Sequence, residues 1–248
     1  PGGGWRLKLT FAGTRGYIEP RSRLHRMHAS LMVSYYGGRV MVDCGETWLG
    51  RIDEVRPGAI VLTHAHPDHA FGLREGAPCP VYATADTWEE GELGCFEIAE
   101  RRTLTPRRSR EIEGITFEAF EVEHSTRAPA VGYRITAGRV SVFYVPDVVY
   151  INDRARALRG CRLYIGDGAT VSDSMVRRPS EALIGHTPVR TQLTWCAKEG
   201  VPEMVVTHCG SDIVAGDQRK VAAELGRMAE ERGGKVSIAN DGDRRVLR

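Results

Sequence analysis

Thr63-His64-Ala65-His66-Pro67-Asp68-His69 packs three imidazoles and a carboxylate into one short stretch, directly after the apolar run Ala59-Ile60-Val61-Leu62. The apolar run reads as a buried strand, and the histidines fall in the tight turn that leaves it. Side chains in such a turn can converge on one point. Imidazole with carboxylate is the donor mixture that suits zinc and the neighbouring first-row metals. A lone His-X-His would say little, but the full His-X-His-X-Asp-His behind a strand reads as a metal site.

With Gly72 following, this stretch resembles the signature of the metallo-β-lactamase superfamily. Val42-Asp43-Cys44-Gly45 resembles that family's first motif, Val122-Glu123-His124-Ser125 the segment carrying a third histidine, Val145-Pro146-Asp147 the segment carrying a bridging aspartate, and Val206-Thr207-His208-Cys209 the final histidine. The matches keep the family's order and extend over nearly the whole chain. The resemblance implies an α/β fold, the αββα sandwich of two mixed β-sheets flanked by helices, here as a single domain over residues 1–248. It also implies two divalent metal ions, zinc with manganese or iron as alternatives. One ion would be held by His64, His66 and His124, the other by Asp68, His69 and His208, with Asp147 joining them and a hydroxide held between. Five histidines and two aspartates then make two incomplete shells, and open positions are what a hydrolase needs. Asp43 is expected to accept the free N–H of a ligand histidine and fix its tautomer.

Ile184-Gly185-His186-Thr187, Ala197-Lys198-Glu199-Gly200-Val201, Val205-Val206-Thr207-His208 and the opening Leu9-Thr10-Phe11-Ala12-Gly13-Thr14-Arg15-Gly16 are similar to one branch, the tRNA 3′-processing endonucleases (RNase Z) and related cyclic phosphodiesterases. That resemblance implies two catalytic groups besides the metals, Asp68 orienting the nucleophile and His186 contacting the phosphate or protonating the leaving oxygen. Asp167 has two readings, a partner that orients His186 or a turn-forming aspartate between Gly166 and Gly168. Cys209 likewise reads as a buried small hydrophobe or a weak ligand.

The function expected is a phosphodiesterase acting on a small or cyclic phosphodiester or nucleotide. RNA processing is the alternative, less favoured because the chain shows no long Gly- and basic-rich insertion and its net charge is only +2. Hydrolysis of a thioester, lactone or lactam on the same centre is a third reading, and a non-catalytic binding module a fourth. A homodimer is expected from the resemblance alone. Arg21, Arg23, His25, Arg26 and His28 crowd the loop after the first strand, and Arg15, Arg21 and Arg23 are the candidate substrate-binding groups there. Arg101, Arg102, Arg107, Arg108 and Arg110 form a second basic cluster, balanced by Glu97, Glu100 and Glu111.

With 42% hydrophobic and 27% charged residues the composition is that of an ordinary globular protein, which excludes a disordered or fibrous chain. The longest apolar runs are strand-length, too short to cross a membrane. Pro1-Gly2-Gly3-Gly4 reads as a remnant of processing ahead of a strand. Six cysteines without Cys-X-X-Cys pairing read as free thiols of a reducing cytoplasm. Strands are expected at Leu7 to Phe11, Leu31 to Tyr35, Val40 to Val42, Ile60 to Leu62, Val81 to Ala83, Phe117 to Val122, Val131 to Thr136, Val140 to Val145, Leu163 to Ile165 and Met204 to Val206. Turns fall at Gly37-Gly38 and Ala137-Gly138. Helical spacing appears in Thr47 to Val55, Val189 to Lys198 and Gln218 to Glu231.

Overall fold

The computed structural model describes residues 6–178 and 182–248. Pro1 to Gly4, and the middle of the Asp173 to Ile184 loop, lie outside the described residues. The first sheet takes Leu7–Gly13 (β1), Ser30–Tyr35 (β2), Gly38–Val42 (β3), Ala59–Val61 (β4), Val81–Thr84 (β5) and Arg101–Leu104 (β6). The second takes Arg110–Ile112 (β7), Ile115–Glu123 (β8), Ala130–Ala137 (β9), Val140–Val145 (β10), Tyr150–Ile151 (β11), Leu163–Asp167 (β12), Glu203–Thr207 (β13) and Lys235–Ile238 (β14). Arg244–Leu247 (β15) returns to the first sheet and pairs with β1. Both sheets are mixed, in the orders β15-β1-β2-β3-β4-β5-β6 and β11-β8-β9-β10-β12-β13-β14, with β7 beside β8. The helices are Pro67–Ala70 (α1), Ala85–Glu89 (α2), Arg154–Leu158 (α3), Val189–Glu199 (α4), Ser211–Val214 (α5) and Gln218–Glu230 (α6).

Alternation explains the layers. Leu7, Leu9 and Phe11 point one way along β1 and meet Phe117, Tyr133 and Ile135 of the opposite sheet in one buried cluster. The other face of the second sheet, with Phe143, Tyr164 and Val206, packs on Leu193, Trp195 and Cys196 of α4 and on Leu225 and Ala229 of α6. Met41, Ile60 and Val81 on the far face of the first sheet pack under Trp48, Ala70, Leu73 and Leu93. The order is thus helix, sheet, sheet, helix, the expected αββα sandwich. Among the described residues no helix is long and apolar enough to cross a membrane.

Two local expectations shift. Thr47 to Val55 is not one helix but two short 3₁₀ turns, Glu46–Trp48 and Ile52–Glu54, because Gly50 between them sits at φ +70°. The turn between β2 and β3 is Tyr36-Gly37, one residue earlier than Gly37-Gly38, with both residues at positive φ (52° and 91°) as a two-residue hairpin of type I′ requires.

Six strands of this frame position the candidate site. Asp43, His64, His124, Asp147 and His208 lie no more than three residues past the ends of β3, β4, β8, β10 and β13, and Asp167 is the last residue of β12. Within each sheet these strands run in one direction, so all their ends fall on the same edge. Tyr133 Oη donates to Leu62 O (2.8 Å) and Val131 N to Thr63 O (3.0 Å), which ties the second sheet to the chain just before the histidine turn.

Candidate metal centre

Pro67 opens α1, where its missing N–H costs nothing, and His66 is the residue before it. The helix turns at once, which brings Asp68 and His69 back over the end of β3. There Cys44 N donates to His69 O (2.7 Å). Gly45 makes this approach possible: a Cβ on it would lie 1.9 Å from Asp68 O, a distance no side chain tolerates.

The donor atoms form two groups. His66 Nδ1 lies 3.0 Å from His64 Nε2 and 3.2 Å from His124 Nε2, and the three rings meet at 73° to 76°, edge against face. In the second group Asp68 Oδ2 is 3.1 Å from His69 Nε2 and 3.0 Å from His208 Nε2, while Asp147 Oδ2 is 2.6 Å from His69 Nε2. Asp147 stands between the groups, 3.7 Å from His64 Nε2, 3.8 Å from His124 Nε2 and 3.4 Å from His208 Nε2. All seven side chains anticipated as ligands are brought together.

Hydrogen bonds fix which ring nitrogen of each histidine faces the centre. Asp43 Oδ2 accepts from His69 Nδ1 (2.9 Å), which leaves Nε2 inward. Thr63 Oγ1 donates to Asp43 (2.9 Å) and therefore accepts from His64 Nδ1 (3.0 Å), so His64 also presents Nε2. His124 Nδ1 donates to Gly185 O (3.0 Å), with the same result. One carboxylate thus orients two of the histidines, one directly and one through Thr63. Asp43 holds this place at φ +64°, a conformation that aspartate tolerates better than most residues.

This donor set fits divalent cations. Bare imidazole nitrogens facing one another repel, and a cation at their common point converts the repulsion into coordination. Burial and the neighbouring imidazoles hold His64 well below the usual histidine range, and His66 down at about 4, so the first group stays neutral as ligands must. In the second group burial works against a charged ring, but Asp68, Asp147 and Asp43 raise His69, and chiefly Asp147 raises His208 to about 10. The carboxylates therefore draw positive charge to this spot. His69 Nε2 and Asp147 Oδ2 are buried and have no hydrogen-bond partner despite their close approach.

His186 joins the edge of the centre. Its Nδ1 donates to Asp167 Oδ2 (2.7 Å), and its ring lies 5.1 Å from His124. Burial pushes the Asp167 carboxyl up, but His186 outweighs it and holds the group below its usual range. Asp167 also accepts from Val148 N (3.0 Å) and Ala169 N (2.9 Å). Both of its sequence readings are present, the contact with His186 through Oδ2 and a turn closed on Ala169 N, two residues on, through Oδ1. Gln192, which sequence reasoning passed over, holds the Asp167 backbone through N and O (3.0 and 2.7 Å).

The basic loop divides. Arg15 is 2% exposed, and its guanidinium donates to Ile18 O, Arg26 O and His28 Nε2. His25 and His28 are buried as well, whereas Arg21, Arg23 and Arg26 face solvent. In the second cluster Arg101 is bonded to Gly94 O and Phe96 O, Arg102 to Glu100, and Arg107 to Asp153. Cys209 is buried, and its thiol is pushed far up by burial.

The Thr63 relay is open to a direct test. Thr63→Val keeps the shape and removes the hydroxyl, leaving His64 free to take either tautomer. We expect metal affinity to fall roughly tenfold or more, measured by competition with a chelator. An unchanged affinity would mean the relay does not set the tautomer.

The family model described as a beta-lactamase superfamily domain matches residues 38–209, a span that holds both donor groups. The chain is 25% identical to the ribonuclease Z of Mycobacterium marinum, over 95% of this chain and 96% of that one. It is 30% identical to the ribonuclease Z of Methanopyrus kandleri over 64% of this chain, a match that spans only 62% of the Methanopyrus enzyme's length. Among solved structures it superposes on the metallo-beta-lactamase fold protein YhfI from Bacillus subtilis with a TM-score of 0.76 at 18% identity, covering 98% of this chain and 100% of that one. A diphosphatase from the PhnP family gives a TM-score of 0.70 at 21% identity, covering 98% of each. Such identities speak for the fold, and the matched span for the family. By that span, the motif order and the converging donors, the chain belongs to the metallo-β-lactamase superfamily of hydrolases.

Proposed function

We propose that this chain is a metal-dependent phosphodiesterase that holds two divalent ions, zinc by its donor chemistry with manganese or iron as alternatives. His64, His66 and His124 hold one ion, Asp68, His69 and His208 the other, and Asp147 is shared. When bound, the ions supply Lewis acidity to a phosphoryl group and acidify nearby water. The observation that carries the reading is His186. Its Nδ1 is committed to Asp167, so Nε2 is the ring nitrogen left for the cleft of about 620 Å³ that Asp68, Asp147 and His208 also line.

In that position His186 binds a non-bridging phosphate oxygen or delivers a proton to the departing oxygen. Asp68 lines the same cleft and orients the attacking water. Asp167 holds the His186 ring, and Asp43 holds those of His69 and His64. A thioester or lactam hydrolase on the same centre has no need of His186. RNA 3′-end processing is the second reading, supported by the ribonuclease Z names of the curated relatives. The expectation of a small substrate rests on the short chain, the lack of a long Gly- and basic-rich insertion and the weak net charge, and of these the charge is unevenly spread over the protein.

Turnover of bis(p-nitrophenyl) phosphate against a thioester and a lactam tests the class. We expect His186→Ala to lower kcat on the phosphodiester by about 10²- to 10³-fold with metal content intact. Undiminished phosphodiester hydrolysis in that variant would remove the reason for preferring phosphate.

A further inference from the structure

A cavity larger than the metal cleft lies outside it. It is a cleft of about 840 Å³ walled by the guanidinium-bearing residues Arg21, Arg23, Arg26, Arg51 and Arg74, and Glu46 is the one carboxylate among the described residues that line it. Arg51 and Arg74 are already paired, with Glu54 at 2.8 Å and Glu92 at 3.4 Å. Arg21, Arg23 and Arg26 have no carboxylate partner among the described residues. The metal cleft, by contrast, is lined by no lysine or arginine among the described residues.

Three like charges crowded into six residues repel one another, and a mobile loop would relax by spreading them. This loop is pinned. Asp241 Oδ2 accepts from Arg26 N (2.7 Å) and Met27 N (2.9 Å), and Asp241 Oδ1 accepts from Thr14 Oγ1 (2.7 Å). Arg15 ties the same loop from below, through Ile18 O and Arg26 O. The fold therefore presents the three guanidiniums on an ordered backbone, as an anion site requires.

The two clefts share a neighbour. A hollow of about 290 Å³ lies between them, sharing Tyr17 and Ile18 with the metal cleft and Arg21 with the arginine cleft. Tyr17, at the junction, is 62% exposed and presents a ring face on which a sugar or base can stack.

We propose that the arginine cleft is a second anion subsite, which takes a phosphate that the substrate carries beyond the one being hydrolysed. The inference rests on the phosphodiesterase reading and extends it: the favoured substrate carries at least two phosphates and spans Tyr17. That second phosphate is either a terminal phosphate or an internal phosphodiester of a longer strand.

The test is the metal-loaded triple variant Arg21→Ala, Arg23→Ala, Arg26→Ala, compared with the parent on three substrates. These are bis(p-nitrophenyl) phosphate, a dinucleotide with a 5′-terminal phosphate, and a single-stranded RNA dodecamer. The ratio of kcat/KM on a two-phosphate substrate to that on the small ester is expected to fall at least about tenfold, and the slope of log KM against log salt for the dodecamer by about 0.7, the value for one phosphate no longer neutralised on a single strand. Loss on the dinucleotide identifies a terminal phosphate, and loss on the dodecamer alone an internal one. A ratio unchanged for both, whether through equal loss on every substrate or through none, overturns the proposal. Fluorescence anisotropy of a labelled dodecamer gives a readout without turnover. If the parent hydrolyses no phosphodiester, the catalytic reading falls, and equal dodecamer affinity of parent and variant is then the result that overturns the subsite.

Discussion

Asp147→Asn is expected to leave the protein with one bound divalent ion or none, and with phosphodiester hydrolysis reduced at least about a thousandfold. The reason is its position between the two donor groups. Its carboxylate oxygens lie within 3.8 Å of ring nitrogens of His64, His69, His124 and His208, and no other carboxylate among the described residues reaches as many of these rings. Asparagine keeps the volume but supplies one oxygen in place of two and no charge. The remaining carboxylate, Asp68, contacts only His69 and His208. Elemental analysis after gel filtration gives the ion count, and a zinc titration of the melting temperature gives the linkage, because an ion that binds the folded state alone raises stability by RT ln(1 + [L]/Kd). The parent should melt higher with added zinc, and Asp147→Asn should show a much smaller rise. Two ions and full activity in the variant would show that the two donor groups do not share this carboxylate.

What could be read from the sequence follows from how local each feature is. The buried strands β2, β4, β10 and β13 announce themselves as apolar runs, and the histidine turn sits where β4 stops. The seven candidate ligands were legible through their resemblance to the family's motifs, and the histidine turn behind β4 alone points to a metal by its own residue types. The strands β6, β14 and β15 were not legible: each lies at a sheet edge, and Arg101-Arg102, Lys235 and Arg244-Arg245 break up the apolar pattern that a central strand would show. Charge on an edge strand discourages pairing with another chain, so the same residues that protect the edge hide the strand.

The loop of residues 14–28 shows a different limit. Sequence groups Arg15, Arg21, Arg23, His25, Arg26 and His28 as one basic stretch. The structure buries Arg15, His25 and His28 and exposes the rest, because Asp241, more than 200 positions away, dictates how the loop lies. The service of Asp43 to two histidines was half legible. Its contact with a ligand ring was expected from the family motif, but the relay through Thr63 depends on which atom donates to which, and only the distances around Thr63 Oγ1 determine that. Gly45 belongs to the same class, its need for a bare Cα arising from the backbone of Asp68, a contact no local pattern contains.

Asp167→Asn is the substitution that separates orientation of His186 from its mere presence. Both Asp167 oxygens accept, Oδ2 from His186 Nδ1 and the buried Val148 N, Oδ1 from the part-buried Ala169 N. An asparagine must turn its NH₂ toward one side. Facing Ala169, it sets donor against donor and orphans that N–H, at a cost of about 1–3 kcal/mol. Facing His186, it accepts nothing from Nδ1, so the ring must shift its proton to Nε2 or swing away, and the atom meant for phosphate is altered. Where a histidine works as acid or base, losing its orienting carboxylate costs up to about 10⁴ in kcat. We expect a kcat fall of about 10²- to 10³-fold on bis(p-nitrophenyl) phosphate, with KM moved far less and metal content unchanged. A second measurement separates this role from general loosening of the fold. In a His186→Ala background Asp167→Asn should add almost nothing, because two residues acting through one proton are not additive. If it costs as much there as in the parent, Asp167 serves His208 or the strand end, and His186 finds its place without it.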